Sequence, residues 1–163
     1  MGNFQHTDIP IKYPLAKETI TEVEIQNLIE WLKDYPRLTK GELTVEFEKE
    51  WAKYIGTKYS VFVNSGSSAN LLMVYALKEL GKLDGKVIVP SVGWVTTISP
   101  LIQFGIEPVM VDADKKTFGI DLEQTEFLLK TEEISAIIFV QVLGVPHYKE
   151  ELLRLSEKYN VPM

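Results

Sequence analysis

Tyr59-Ser60-Val61-Phe62-Val63 runs into Asn64-Ser65-Gly66-Ser67-Ser68-Ala69-Asn70 and then into Leu71-Leu72-Met73-Val74-Tyr75-Ala76-Leu77. The first segment has the composition of a short buried strand, the second of a tight turn, and the third of a helix entered directly from that turn. Gly66 lets main chain approach a ligand with no side chain in the way. Ser67 and Ser68 can cap the helix and leave its first amides pointing outward. Free amides at the positive end of a helix dipole favour a phosphate. The plainer alternative is an ordinary capped connection in an α/β protein. No Gly-Lys-Ser/Thr follows, so the stretch is not a P-loop. It also lacks the three spaced glycines of the dinucleotide fingerprint and the second glycine of a nucleophile elbow.

Outward from this stretch, the same alternation repeats. Lys86–Pro90, Pro108–Asp112 and Ala136–Val140 read as further short apolar strands. Helices are expected between them: from the Ser91–Pro100 stretch to about Phe104, from Asp121 and Gln124 onward, and over Lys149–Tyr159. No link is a hairpin turn, so the strands form a mostly parallel sheet with helices on both faces. In such sheets ligands gather at the carboxyl ends of the strands. The turns after Val63, Val89, Asp112 and Val140 would lie there. Upstream, Pro10 and Pro14 mark an extended entry. Thr21 and Glu24 form a capping-box signature ahead of Ile25, Leu28, Ile29 and Leu32. A second helix from about Thr44 carries Phe47, Trp51, Tyr54 and Ile55, an aromatic stripe of the kind that packs in a core, and stops at Gly56.

Composition narrows the function. At 163 residues, 45% hydrophobic and 25% charged, the chain has the size and make-up of a globular domain. A net charge of −6 and the lack of any Lys/Arg run argue against nucleic acid as a partner. There is no cysteine, which excludes disulfides and thiolate metal sites and points to a cytoplasmic setting. Met1–Pro10 has no apolar core for a signal peptide, and no stretch is long enough to span a membrane.

Few side chains offer chemistry. Trp94 follows Gly93 at the ligand edge, and either packs in the core or stacks on a flat ring. Asp112, Asp114 and Glu123 fill the first, third and twelfth places of a calcium loop. Lys116 and Thr117 occupy the fifth and sixth, where a ligand and a glycine are required, and calcium is rejected. His6 lies in the N-terminal tail, and His147, after Pro146, reads as a loop or cap residue. Neither has a visible acid-base partner.

A set of landmarks in fixed order resembles one family. They are Tyr13-Pro14-Leu15-Ala16, Leu38-Thr39-Lys40-Gly41, Tyr54–Tyr59, Asn64–Leu71, Gly93-Trp94-Val95-Thr96-Thr97, Pro108–Asp112 and Val142-Leu143-Gly144. Together they resemble the N-terminal part of the DegT/DnrJ/EryC1/StrS family, the sugar aminotransferases dependent on pyridoxal 5'-phosphate (PLP). The wording is most similar to the branch containing the nucleotide-sugar 3-dehydrases. The resemblance implies an incomplete fold type I large domain. Residues 1–58 would form an extended segment and two helices, and residues 59–163 the partial cofactor-binding domain. It implies that Gly66, Ser67 and Ser68 cradle the PLP phosphate and that Trp94 stacks on the ring. The implied partners are a nucleotide-linked keto-sugar, an amino-acid donor, and a missing carboxyl-terminal half or a second copy in a dimer. The family's chemistry is amino transfer, or, in the dehydrase branch, removal of a sugar hydroxyl. The chain is expected to stop before the acid at the pyridine nitrogen and before the Schiff-base lysine or its histidine replacement. No lysine present, Lys115, Lys116 and Lys149 included, sits in the family's lysine context, so the chain alone is expected to be inactive; the alternative is a non-catalytic remnant that keeps phosphate or nucleotide-sugar affinity.

Overall fold

The computed structural model describes residues 18–163. The expected extended entry, His6 and the Tyr13–Ala16 landmark lie outside the described residues. The chain divides into two compact units, with the boundary between Phe62 and Val63.

In the first unit, helix α1 spans Glu22–Lys33 and α2 spans Glu42–Ile55. The Thr21–Glu24 capping box is formed as expected: the Thr21 hydroxyl accepts from Val23 N–H, and the Glu24 carboxylate accepts from Thr21 N–H at 2.6 Å. Gly41 opens α2, and Gly56 ends it in the left-handed conformation, φ 81°.

Two expectations fail here. The aromatic stripe of α2 is not core: Phe47, Trp51, Tyr54 and Ile55 are all exposed, and only Ala52 is buried on that helix. Phe47 and Trp51 stack on each other instead, with ring centroids 6.0 Å apart. Tyr59–Val63 is extended but is not a strand. A strand needs a neighbour for its amides, and this segment spends its polar groups on α2. Phe62 N–H donates to Glu48 Oε1 at 2.9 Å, the Ser60 hydroxyl donates to the Glu48 carbonyl at 2.5 Å, and the Phe62 ring sits edge-on to Phe47. The Phe62 amide, and then Lys40, hold the Glu48 carboxyl below its ordinary range.

The second unit is built on β1 (Lys86–Pro90), β2 (Glu107–Val111) and β3 (Ile134–Ile137), all parallel, in the order β2-β1-β3. Helices α3 (Gly66–Glu79), α4 (Val95–Gln103), α5 (Leu122–Thr131) and α6 (Lys149–Tyr159) surround it. The pleat divides β1 between two cores. Val87 and Val89 pack with Val74 and Leu101 from α3 and α4, while Ile88 packs on the other face with Leu129 and Leu152 from α5 and α6. Each of those three β1 side chains is fully buried, which is why the strand reads as an unbroken apolar run.

β3 begins two residues before the expected Ala136 and ends at Ile137. Its register slips by one residue between Lys86 and Val87 of β1, and the Ser135 hydroxyl there donates to the Lys86 carbonyl at 3.0 Å. Beyond α6 the backbone turns at Asn160, φ 53°, and the Pro162 carbonyl accepts from Ile137 N–H at 2.9 Å. Residues 161–163 thus start to line the outer edge of β3.

Strand order reverses at β1, because β2 lies on one side of it and β3 on the other. The crevice outside the carboxyl ends at such a reversal is where an α/β sheet receives ligands. The loops reaching that edge are 91–94 after β1, 112–121 after β2 and 138–148 after β3. Helix α3 lies alongside α4 in the same sense, Asn70 near its start bonding the Thr96 carbonyl and Lys78 near its end bonding the Phe104 carbonyl, so its N-terminus faces the same edge.

Candidate functional site at the carboxyl edge

The N-cap of α3 is Ser65, not Ser67 or Ser68. The Ser65 hydroxyl accepts from Ser68 N–H at 3.2 Å, and the Ser68 hydroxyl donates to Asn64 Oδ1 at 2.6 Å. The cap stands two residues before the nearer of the two expected serines, because an N-cap must be extended and Ser65 is (φ −162°, ψ 161°) while Ser67 and Ser68 lie within the helix. This leaves the amides of Gly66 and Ser67 with no hydrogen bond among the described residues, at the positive end of a helix that runs to Glu79. A Cβ added to Gly66 would meet nothing within 4 Å. Both residues are exposed, so an anion has open access to the two free N–H groups.

Trp94 does not join the core. It is the N-cap of α4 and 75% exposed, with its indole available to a flat partner. One hydrogen bond connects its helix to the serine turn: Asn70 Nδ2, in α3, donates to the Thr96 carbonyl, in α4, at 3.1 Å. Gly66, Ser67, Ser68 and Trp94 therefore belong to two packed helices whose N-termini open at the same edge.

The remaining polar residues of the edge are occupied with holding loops. Asp114 accepts from the Thr117 hydroxyl and from the amides of Lys116 and Thr117, and these bonds, the hydroxyl first, keep its carboxyl below the ordinary range. Asp112 Oδ1 accepts from Ala113 N–H, and Asp112 N–H donates to the Gln124 side chain. Glu123 is on α5, whose N-cap is Asp121 as expected. His147 is 5% exposed rather than a surface cap, with Nδ1 3.2 Å from the Val145 carbonyl and Nε2 without a partner. It does not reach the serine turn through any hydrogen bond among the described residues. Sequence reading missed Ser65, Asn64 and Asn70. The signal for Ser65 was local, since it stands three residues before the Ser68 amide it caps.

The arrangement is that of an α/β domain whose carboxyl edge carries a helix N-terminus with two free amides and an exposed indole. The sequence profile of the DegT/DnrJ/EryC1/StrS aminotransferase family matches residues 18–163, and the chain belongs to that family. It is 43% identical over 153 residues to the GDP-4-keto-6-deoxy-D-mannose 3-dehydratase of Yersinia pseudotuberculosis, a match covering 91% of this chain and 38% of that protein. The solved Escherichia coli GDP-4-keto-6-deoxy-D-mannose-3-dehydratase with bound hydrated PLP superposes with a TM-score of 0.80 at 36% identity, covering 93% of this chain and 39% of that one. An aminotransferase from Psychrobacter cryohalolentis gives 0.75 at 26% identity, covering 88% of this chain and 36% of that one. The chain thus corresponds to the N-terminal part of these proteins and spans well under half their length. The expected architecture, α/β and the large-domain part of fold type I, is the one found. Among the described residues no helix is long and apolar enough to cross a membrane.

Proposed function

We propose that these residues are the cofactor-binding N-terminal part of a PLP-dependent nucleotide-sugar 3-dehydratase. The observation that carries the reading is the pair of unbonded amides at Gly66 and Ser67 under open space, on a helix tied to the one that Trp94 caps. A dianionic phosphate fits that seat, since two N–H donors and the helix dipole meet it and no carboxylate precedes it in the first turn. Ser67 and Ser68 lie at the same turn. Ser68 holds its geometry through Asn64 and Ser65, while the Ser67 hydroxyl is exposed and available as a donor. Trp94 supplies a face for the pyridine ring. PLP, when bound, contributes a conjugated ring that draws electrons from a substrate carbon. The protein's part at this edge is to grip the anionic end and set the plane of the ring.

Dehydration is preferred over amino transfer because the 3-dehydratases match at 33–43% identity and the solved aminotransferases at 26–29%. The substrate class is then a GDP-linked 4-keto-6-deoxy-hexose. The partner proposed is the carboxyl-terminal portion that the relatives carry, within a cytoplasmic dimer. The outer edge of β3, where Ile137 N–H donates to the Pro162 carbonyl, is the surface such a portion would meet.

The test is a PLP titration followed at the cofactor's absorbance band, with and without the carboxyl-terminal part of the Yersinia relative. Binding to the chain that inorganic phosphate competes away, and dehydratase turnover only when both parts are present, supports the reading. Silence in both arms contradicts it.

A further inference from the structure

Helix α4 carries a proline in its interior, Pro100. An interior proline has no N–H for the carbonyl four residues earlier, and here that carbonyl is Thr96. The bond missing from the helix is supplied from another one: Asn70 Nδ2 donates to Thr96 O at 3.1 Å, from 26 residues away. Asn70 is half-buried, as is Thr96, while Pro100 and Thr97 are buried. Water therefore has restricted access to a carbonyl that Pro100 cannot satisfy.

We infer that Asn70 is a positioning residue whose side-chain amide replaces the N–H absent from Pro100, and so fixes the indole of Trp94 relative to the amides of Gly66 and Ser67. Both ends of the bond lie close to the functional groups. Asn70 is four residues past Gly66 in α3, and Thr96 is two past Trp94 in α4. The proline frees an acceptor within the first turn of its helix, and the asparagine uses it to set the first turns of both. PLP, bound at its phosphate by one helix and at its ring by the other, would sense a slip between them. Inorganic phosphate, held by α3 alone, would not. This inference rests on the proposed cofactor site for its consequence, but the hydrogen-bond replacement stands independently of it.

The test is a double-mutant cycle of Asn70→Ala and Pro100→Ala in the full chain, read by thermal melting and by titration with PLP and with inorganic phosphate. Alanine at position 100 returns an N–H to the Thr96 carbonyl, so Asn70→Ala should lower the melting temperature with proline present and have little effect with alanine there. With proline present, Asn70→Ala should weaken PLP about tenfold and inorganic phosphate less than about twofold, as loss of a positioning contact rather than of the anion seat. Asn70→Gln, which keeps the donor on a longer arm, should restore part of the PLP affinity. Equal melting losses in both backgrounds would overturn the replacement. Coupled melting with PLP and phosphate weakened alike would overturn the positioning role and leave only a structural bond. Coupled melting in a wild-type chain that binds neither ligand would overturn the cofactor site itself, and with it the positioning role, while the replacement stands.

Discussion

His147 lies against Gly119 so closely that a Cβ on Gly119 would stand 1.8 Å from His147 Cδ2. The contact joins the loop after β2 to the loop after β3, and the residues next to it, Phe118 (φ 57°) and Tyr148 (φ 44°), are held in left-handed conformations that side chains disfavour. The ring also stands edge-on to Phe139 and Tyr148. Gly119→Ala cannot be accommodated without ejecting the imidazole, and should cost about 1–3 kcal/mol, the usual range for overpacking. Urea unfolding measures it. A cost below about 0.5 kcal/mol, within the range of neutral surface changes, would show that the seat is not tight.

Removing the α3 cap acts on stability and on the site together. Ser65→Ala should destabilise by about 1 kcal/mol, typical of a lost N-cap. It also frees the Ser68 amide that Ser65 occupies, and Ser68 loses one neighbour of its Asn64-bonded hydroxyl. Chemical denaturation gives the first number. PLP titration should show weaker binding, because the turn loses the bond that fixes its shape.

Acid sensitivity has an identifiable source between α5 and α6. Glu126 accepts from Lys158 Nζ at 2.7 Å and pairs with Lys130 at 3.2 Å, with the Tyr159 hydroxyl at 3.2 Å. The Lys158 ammonium first, then that of Lys130, lowers its carboxyl from 4.5 to about 2. A carboxyl depressed in the folded state stabilises fully above its unfolded value, and that contribution disappears as pH falls toward the folded one. The gap in melting temperature between wild type and Glu126→Gln should therefore be widest above pH 4.5 and close as pH approaches 2. The lysines are exposed and Glu126 partly so, and added salt should narrow the gap as well. A gap that stays constant over that interval would remove Glu126 as the source.

What could be read from the sequence was whatever depends on near neighbours. The run Val87-Ile88-Val89 announces a strand covered on both faces, and Thr21 with Glu24, or Asp121 with Gln124, announces a helix start within four residues. Tyr59–Val63 has the composition of a strand and failed as one, because pairing depends on a partner and its amide at Phe62 goes to Glu48 instead. The α2 stripe has core chemistry but no core around it among the described residues. Asn70 escaped because its purpose lies in a proline in a different helix. The burial of His147 escaped because Gly119, the residue that makes room for it, has no side chain to announce the contact.

The most direct test of the central claim is Gly66→Asp. Space above Gly66 is open and its φ is not left-handed, so the side chain fits, and a carboxylate in the first turn suits the α3 dipole. It would nonetheless put negative charge where the cofactor phosphate is proposed to sit. We expect wild type to bind PLP, and the variant to melt at the same temperature or slightly higher while losing at least about tenfold in PLP affinity, as expected for like charges in one site. Unchanged affinity in a folded Gly66→Asp chain would contradict the assignment of the α3 N-terminus as the phosphate seat.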